Sequence, residues 1–472
     1  MVFDIIGHMR WRVGLLFIVI VVLVVGTVGS GADDSGAAIF VQRGDAYRDG
    51  FLYSAATDQY LQALEHQPHN PIILLRLCDV SLRRGQIDEA EAYVDRAESA
   101  GAEGIDAAEC RARVAESTGQ AGQAAAQWSI VVAARPGDRN ARIRHIDALI
   151  AAHDWPAAEA AARAMLDANP ADSVAPYYLG ALLALDDPFR ARAVLNDADT
   201  TEAAALAAAL DEPLSLADRS YRAVSIGRVF LEHDRLPLAW RAFVDATTAH
   251  PNYPDAFAYL GIVYSELGDA ALASAHLDRA LELDARSVIG LYLRGVYLSQ
   301  QSAWAEAHAD LERAAQLDPN NASIAVALGR VLAGQGEYEA AEGQFVQAVV
   351  REPDHPAWRL ALAELYIGRL IRVAEKGVPA ARRAVELAPD NAQARDWLGW
   401  GLHLIGDDAQ AEPALRTALD LDPALARARL HLGNLLIDAG RIEEGRTELQ
   451  RAVDLDPRGE VGARARQLLG EP

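Results

Sequence analysis

The chain has 472 residues, and its 67 acidic residues outnumber its 44 basic residues, which gives a formal charge of −23 at pH 7. This balance argues against a general nucleic-acid binder, because such proteins cluster Lys and Arg to neutralise phosphates. The two cysteines, Cys78 and Cys110, are too few for a disulfide-stapled scaffold or a four-ligand zinc site.

The amino-terminal part of the chain has the composition of a membrane span. Residues 13–32 carry no charge and are rich in Leu, Ile and Val, and about 20 such residues cross a bilayer as a helix. Arg10 and Arg12 precede them, and positive charge keeps that end cytoplasmic. We therefore expect a cytoplasmic tail at 1–12, a signal-anchor helix at 13–32 and an extracytoplasmic remainder at the cell membrane. A cleaved signal peptide followed by secretion is the alternative.

A 34-residue period fills the rest of the chain. Small residues recur at this interval, as at Gly227, Gly261, Gly295 and Gly329. Large apolar residues at helical spacing, such as Leu260 and Tyr264, predict a first helix, and Gly268 predicts a turn before a second. Neither helix can bury its apolar face alone, so we expect neighbouring helix pairs to stack into a continuous core.

This pattern resembles the tetratricopeptide repeat family, whose repeat is a helix–turn–helix unit of the same length. The best match is Phe257-x-x-Leu260-Gly261-x-x-Tyr264, followed by Ala273, Leu277 and Ala280. The resemblance implies an all-α, right-handed superhelical solenoid of about twelve antiparallel helix pairs with a concave groove. The expected transmembrane helix precedes this solenoid.

The repeats fall into two arrays. Residues 37–197 hold five divergent repeats, and residues 220–457 hold seven that match the family more strongly. Between them, at 198–219, the repeat spacing is interrupted by a helical insertion or linker, which is either an extra helix in one solenoid or a flexible joint between two arrays. We expect residues 458–472 to form a capping helix over the last exposed core face.

The sequence shows no site of catalysis. The repeats, the insertion and the apolar segment use nearly the whole chain, and the P-loop, zinc-protease and hydrolase motifs do not occur. We therefore expect no enzymatic activity, no cofactor and no metal. Cys78 and Cys110 fall on consecutive first helices, where we expect buried free thiols; a disulfide is the alternative in an oxidising compartment.

In the family, first-helix side chains line the concave groove. The resemblance therefore implies an apolar and aromatic groove with two arginines in the second array, formed by Tyr221, Val224, Arg228, Ile289, Tyr292, Val296, Val326, Arg330, Leu360, Trp400, His403, Leu430 and Asn434. Exposed apolar surface of this kind marks a binding site. The alternative is that a tight superhelix buries many of these side chains against one another.

These features together favour a non-enzymatic protein–protein interaction scaffold. We expect it to be tethered to the outer face of the cytoplasmic membrane and to bind partner segments in the groove, for assembly of an envelope complex. One alternative is an extracytoplasmic polysaccharide-binding or export module, suggested by Trp400 with Asp396 and Asn434. Another is a permanent structural subunit of a larger membrane complex.

Overall fold

The computed structural model describes residues 34–211 and 218–470, and regular secondary structure in these two ranges is entirely helical. The expected cytoplasmic tail and signal-anchor helix, at 1–32, lie outside the described residues. Among the helices that are described, none combines the length and the apolar character needed to cross a membrane.

Twenty-six α-helices occupy the described ranges. The helices before residue 212 are α1 (Asp34–Asp49), α2 (Tyr53–His66), α3 (Pro71–Arg83), α4 (Ile87–Ser99), α5 (Ile105–Ser117), α6 (Ala121–Ala134), α7 (Arg139–Ala151), α8 (Trp155–Ala168), α9 (Ala175–Leu183), α10 (Pro188–Leu195) and α11 (Thr201–Asp211). The helices after residue 217 are α12 (Arg219–Glu232), α13 (Leu236–Ala249), α14 (Pro254–Glu266), α15 (Ala270–Leu283), α16 (Val288–Gln300), α17 (Trp304–Leu317), α18 (Ala322–Gly334), α19 (Tyr338–Arg351), α20 (Pro356–Gly368), α21 (Val378–Leu387), α22 (Ala392–Leu404), α23 (Asp408–Leu421), α24 (Ala426–Asp438), α25 (Ile442–Leu455) and α26 (Glu460–Leu469). A short π-helical turn, Val373–Gly377, precedes α21.

Most of these helices form sequential pairs that pack on the next pair along the chain. Five pairs run from α1–α2 to α9–α10, and seven run from α12–α13 to α24–α25. Helix α11 lies between the fifth and sixth pairs, and α26 packs on the twelfth pair. The solenoid of stacked helix pairs expected from the 34-residue period is therefore confirmed in the described ranges.

The small residue that marks each repeat lies where the two helices of a pair cross. A Cβ atom added at Gly295 would stand 2.6 Å from Cγ of Leu311, and one added at Gly261 would stand 2.7 Å from Cγ of Leu277. Real Cβ atoms do not approach other heavy atoms this closely. Glycine therefore allows α16 to pack tightly on α17, and α14 on α15, which explains its regular spacing.

One buried core passes through the predicted insertion. It extends from Ala108 on α5 to Val263 on α14. Leu206 and Leu210 of α11 belong to it and are buried. The insertion thus contributes a packed helix between the fifth and sixth pairs.

The expectation of free thiols is wrong. Cys78 on α3 and Cys110 on α5 are joined by a disulfide, with 6.8 Å between their Cα atoms. Both cysteines are buried, and α3 and α5 are the first helices of neighbouring pairs, as the repeat register predicts. The bond therefore cross-links the second pair to the third.

The two ends of the row of pairs contact each other. The hydroxyl of Ser54 donates to Oδ1 of Asp454 at 2.6 Å, and its backbone N–H donates to Oδ2 at 3.3 Å. Arg451 donates from Nε to the carbonyl oxygen of Gly50 at 3.0 Å. Leu455 packs against the apolar cluster formed by the first and second pairs. Each pair therefore contacts the next along the chain, and the last pair contacts the first. We call this junction the end contact.

Candidate functional site

The predicted groove residues differ in their exposure. Val224, Val326 and Leu360 are buried and pack in the core, so they offer little surface to a partner. Arg228 and Arg330 are exposed. The remaining eight are partly buried: Tyr221, Ile289, Tyr292, Val296, Trp400, His403, Leu430 and Asn434. The groove role of all thirteen stays a prediction.

Three of them meet in one cavity, of about 340 Å³, which we call the middle cavity. It is lined by Arg228, Leu231, Glu232, Tyr259, Val288, Ile289, Tyr292, Asn321, Ser323 and Ile324. These side chains come from α12, α14, α16 and α18, which are the first helices of four consecutive pairs, and from the turn before α18. First-helix side chains from four consecutive pairs therefore converge in this cavity.

Three others meet in a larger cavity of about 540 Å³, which we call the carboxy-terminal cavity. It is lined by Gly368, Trp397, Trp400, Leu430, His431, Asn434, Glu460, Ala463, Arg464, Gln467 and Leu468. Helices α22 and α24 supply the aromatic wall, and α26 supplies the opposite wall. The last helix thus completes a cavity as well as packing on the twelfth pair.

A buried network orients the aromatic wall of this cavity. The imidazole of His431 stacks on Trp400 with 4.5 Å between ring centroids and 5° between planes. The guanidinium of Arg427 lies 4.5 Å from the ring centroid of Trp397. Both side chains contact Asp396, His431 through Nδ1 at 2.7 Å and Arg427 through Nε at 2.6 Å. The network fixes two rings that would otherwise be free to rotate.

The charge state of Asp396 is set by its two partners, which outweigh the effect of burial. Asp396 is 0% exposed, and burial alone would raise its pKa. The charges and hydrogen bonds of His431 and Arg427 more than offset that effect and hold the pKa of Asp396 below its ordinary value. Since Asp396 is therefore ionised, Nδ1 of His431 carries the hydrogen that faces it. Its carboxylate is not available to a sugar, which removes one member of the cluster that suggested polysaccharide binding.

His403 has carboxylate neighbours of its own. Its Nδ1 lies 2.7 Å from Asp408, and its Nε2 lies 3.3 Å from Asp438. Both ring nitrogens are thus engaged within the chain. His403 lines neither cavity, and the same holds for Tyr221, Val296 and Arg330.

Sequence reasoning missed three rings that line the cavities: Tyr259, Trp397 and His431. Each stands two residues before the glycine of its repeat, at Gly261, Gly399 and Gly433. Comparison of the repeats at that register position would therefore have identified them.

The described lining suits binding by shape and apolar contact. The walls of the carboxy-terminal cavity are mainly aromatic and apolar, whereas the middle cavity is lined about equally by polar and apolar groups, and both compositions occur in small-ligand and partner sites. Across residues 34–211 and 218–470, no group of three His, Cys, Asp or Glu is placed to hold a metal ion.

Two family models match parts of the chain, and both are described as tetratricopeptide repeat. One matches residues 52–114, 298–365 and 406–469, and the other matches 260–322. No curated protein matches the chain.

Several solved structures resemble the chain at low identity. Yeast Tom70 is 15% identical over 93% of this chain and 96% of its own, with a TM-score of 0.40. A tetratricopeptide repeat protein from Parabacteroides merdae is 15% identical over 53% and 99%, with a TM-score of 0.43. PilF from Pseudomonas aeruginosa is 19% identical over 46% and 97%, with a TM-score of 0.39.

Proposed function

Because this chain belongs to the tetratricopeptide repeat family, we propose that it is a protein–protein interaction scaffold whose main partner site is the carboxy-terminal cavity. The observation that carries the proposal is the aromatic wall of Trp397, Trp400 and His431, held in place by buried Asp396. Aromatic side chains in rigid settings dominate the energetics of interfaces. The bound group is an apolar side chain on a partner segment, which displaces water from the cavity.

The proposed setting is the outer face of a cytoplasmic membrane, where the scaffold helps to assemble an envelope complex. Two observations support this setting. The sequence of residues 13–32 suits a membrane anchor, and the bond between Cys78 and Cys110 is typical of proteins in oxidising compartments. Alkylation of intact cells with a thiol reagent, before and after reduction, tests it. Two thiols that react in cells without prior reduction would contradict an oxidising location.

The partner site is tested by site-specific photo-cross-linking in native membranes. A photoreactive phenylalanine analogue replaces Leu430, which lines the cavity, and in a control protein it replaces Phe189, an exposed residue on α10 outside both cavities. We expect Leu430 to capture a defined set of proteins that Phe189 does not, and Trp400→Ala to abolish that capture. The same set captured from both positions would refute the site. Capture of polysaccharide from Leu430 would favour the carbohydrate alternative.

A further inference from the structure

A third cavity, larger than the other two, lies where the third and fourth pairs meet the sixth and seventh. It has a volume of about 620 Å³ and is lined by Glu116, Gly119, Ala121, Ala124, Arg144, Asp147, Ala148, Ala151, His153, Pro237, Trp240, Tyr264 and Leu267. We call it the joint cavity. None of the thirteen predicted groove residues lines it, so it is a separate feature.

The joint cavity exists because two pairs that are not neighbours in sequence are bridged. His153 stacks on Trp240 with 4.3 Å between ring centroids and 13° between planes. Arg241 donates to the carbonyl oxygen of Leu182 at 3.1 Å and forms an ion pair with Asp186. These contacts hold α13 against α7 and α9, so the cavity between them has fixed walls.

The walls combine aromatic rings with short aliphatic side chains. His153, Trp240 and Tyr264 supply the rings, and Nε1 of Trp240 donates to the hydroxyl of Tyr264 at 3.1 Å. Alanines of α6 and α7 form much of the opposite side. Such a surface favours an apolar stem and attracts a cation to the electron-rich ring faces.

Asp147, which lines this cavity, accepts only one hydrogen bond from the described residues. The hydroxyl of Tyr178 donates to Oδ1 of Asp147 at 2.8 Å, and no other donor among the described residues reaches the carboxylate. Burial raises the pKa of Asp147 despite that bond and the nearby charge of Arg235, whose guanidinium lies over the rings of Tyr177 and Tyr178. A partly buried anion with a single hydrogen bond gains from a counter-charge.

The other charged groups at the cavity largely neutralise each other. Nη1 of Arg144 donates to Oε2 of Glu116 at 3.1 Å, and Oε1 of Glu116 accepts from Nε1 of Trp128 at 2.7 Å. Asp147 is therefore the lining carboxylate that has no ion pair among the described residues, although the nearby charge of Arg235 partly offsets it. It would repel a ligand anion, and a neutral ligand would leave it without an ion-pair partner.

We propose that the joint cavity binds an organic cation, an ammonium or guanidinium group on an apolar stem, with the stem among His153, Trp240 and Tyr264 and the charge at Asp147. The volume lies within the range of small-ligand sites, about 300–1,000 Å³. A lysine or arginine side chain of a protein segment and a free alkylamine share this chemistry.

The test is calorimetric titration of the full chain with n-hexylammonium and with n-hexanol, its neutral counterpart of similar shape. We expect the cation to bind about tenfold more tightly than the alcohol, which corresponds to one well-placed charge contact of about 1.4 kcal/mol. Asp147→Asn, which keeps an acceptor for Tyr178, should remove this preference. Trp240→Leu should weaken both ligands.

The matched control is Asp255→Asn. Asp255 is another carboxylate whose pKa is raised by burial, but it lies outside the joint cavity, so the preference for hexylammonium should persist in that variant. Circular dichroism of each variant confirms that the helices are retained. Equal affinities for cation and alcohol in the unmodified chain, or a preference that survives Asp147→Asn, would overturn the proposal.

A second pair of probes distinguishes the two sources of the cation. A blocked pentapeptide with one central lysine is compared with the same peptide carrying norleucine. Tighter binding of the lysine peptide than of hexylammonium supports the site and identifies a protein segment as its ligand. Binding of hexylammonium alone supports the site and identifies a free amine. Failure of both cations refutes the site and leaves the carboxy-terminal partner site unaffected.

Discussion

The hydroxyl of Ser54 lies 2.6 Å from Oδ1 of Asp454, although 400 residues separate the two along the chain. Asp454 is 3% exposed, so the bond is made in a setting from which water is largely excluded. The guanidinium of Arg429 also lies 5.6 Å from the ring centroid of Phe51. The first pair is therefore fixed to the twelfth by polar, charged and aromatic contacts.

The end contact is tested by a double-mutant cycle. Ser54→Ala and Asp454→Ala remove the two partners of one bond, so their effects on the free energy of unfolding should couple by about 1–2 kcal/mol. Urea unfolding of the four proteins measures the coupling. Ser117→Ala, which removes a distant hydroxyl, should not couple to Asp454→Ala. Additive effects of Ser54→Ala and Asp454→Ala would show that the ends do not meet in solution.

The close crossing at Gly295 predicts a steric cost. Gly295→Ala places a methyl group 2.6 Å from Cγ of Leu311, and overpacking of this kind costs about 1–3 kcal/mol. Gly343 also lies within a helix but has open space around it, so Gly343→Ala should be neutral or stabilise by about 1 kcal/mol. Chemical denaturation measures both. Equal effects at the two positions would contradict the packing.

The backbone conformation at His153 predicts that a glycine variant is more stable than an alanine variant at this position. Its φ is 58°, a left-handed conformation that costs a residue other than glycine about 1–2 kcal/mol. His153→Ala loses the stacking on Trp240 and keeps the backbone cost, whereas His153→Gly loses the stacking and relieves that cost. Glycine should therefore be more stable than alanine by about 1 kcal/mol. Thermal unfolding ranks the variants, and an alanine variant as stable as the glycine variant would contradict the turn geometry.

The disulfide predicts sensitivity to reductant. Cys78 and Cys110 are 32 residues apart in sequence, and a bond closing a loop of this size stabilises a domain by about 4 kcal/mol in the chain-entropy model. Urea unfolding with and without reductant should show that difference. A variant with both cysteines replaced by alanine should not respond to reductant. Two titratable thiols in the untreated protein under denaturing conditions would contradict the bond.

The buried network predicts a loss of stability in acid. Because the folded-state pKa of Asp396 is lowered from its ordinary 3.8, its ionised form stabilises the fold above that pH. This contribution is lost as the pH falls from 3.8 toward the folded-state pKa. Asp396→Asn should cost about 3 kcal/mol at pH 7, and the difference from the unmodified chain should narrow in acid. Urea unfolding at pH 7 and near pH 3 tests this, and a constant difference would contradict the charge state.

The repeat pattern was enough to predict the helix pairs, because glycine at 34-residue intervals marks the place where two helices adjacent in sequence cross. Departures from glycine are also locally compensated. Ile146 stands where most other repeats have a small residue, and sixteen residues later Ala162 replaces the usual large residue; both are buried. The crossing in this repeat therefore still combines one large and one small side chain.

Contacts between pairs distant in sequence could not be predicted in this way. The end contact and the stacking of His153 on Trp240 join residues that share no periodic relationship. The turn within a pair usually has a residue in the left-handed conformation, which is often glycine, as at Gly85 and Gly268. Residues other than glycine have this conformation at the same turn position: Phe51, His153, Asp234, Ser302 and Leu370. The two aromatic residues of this set, Phe51 and His153, each contact a distant pair.

Closure at Ser54 and Asp454 has a consequence for how this molecule can change in evolution or design. An open array accepts one more module, or one fewer, with little penalty to those already present. Here, insertion or deletion of a single 34-residue module would carry Asp454 away from Ser54 by the rise and rotation of one step. The contact between the two ends therefore constrains the number of modules in this chain, and selection for that contact can maintain the number.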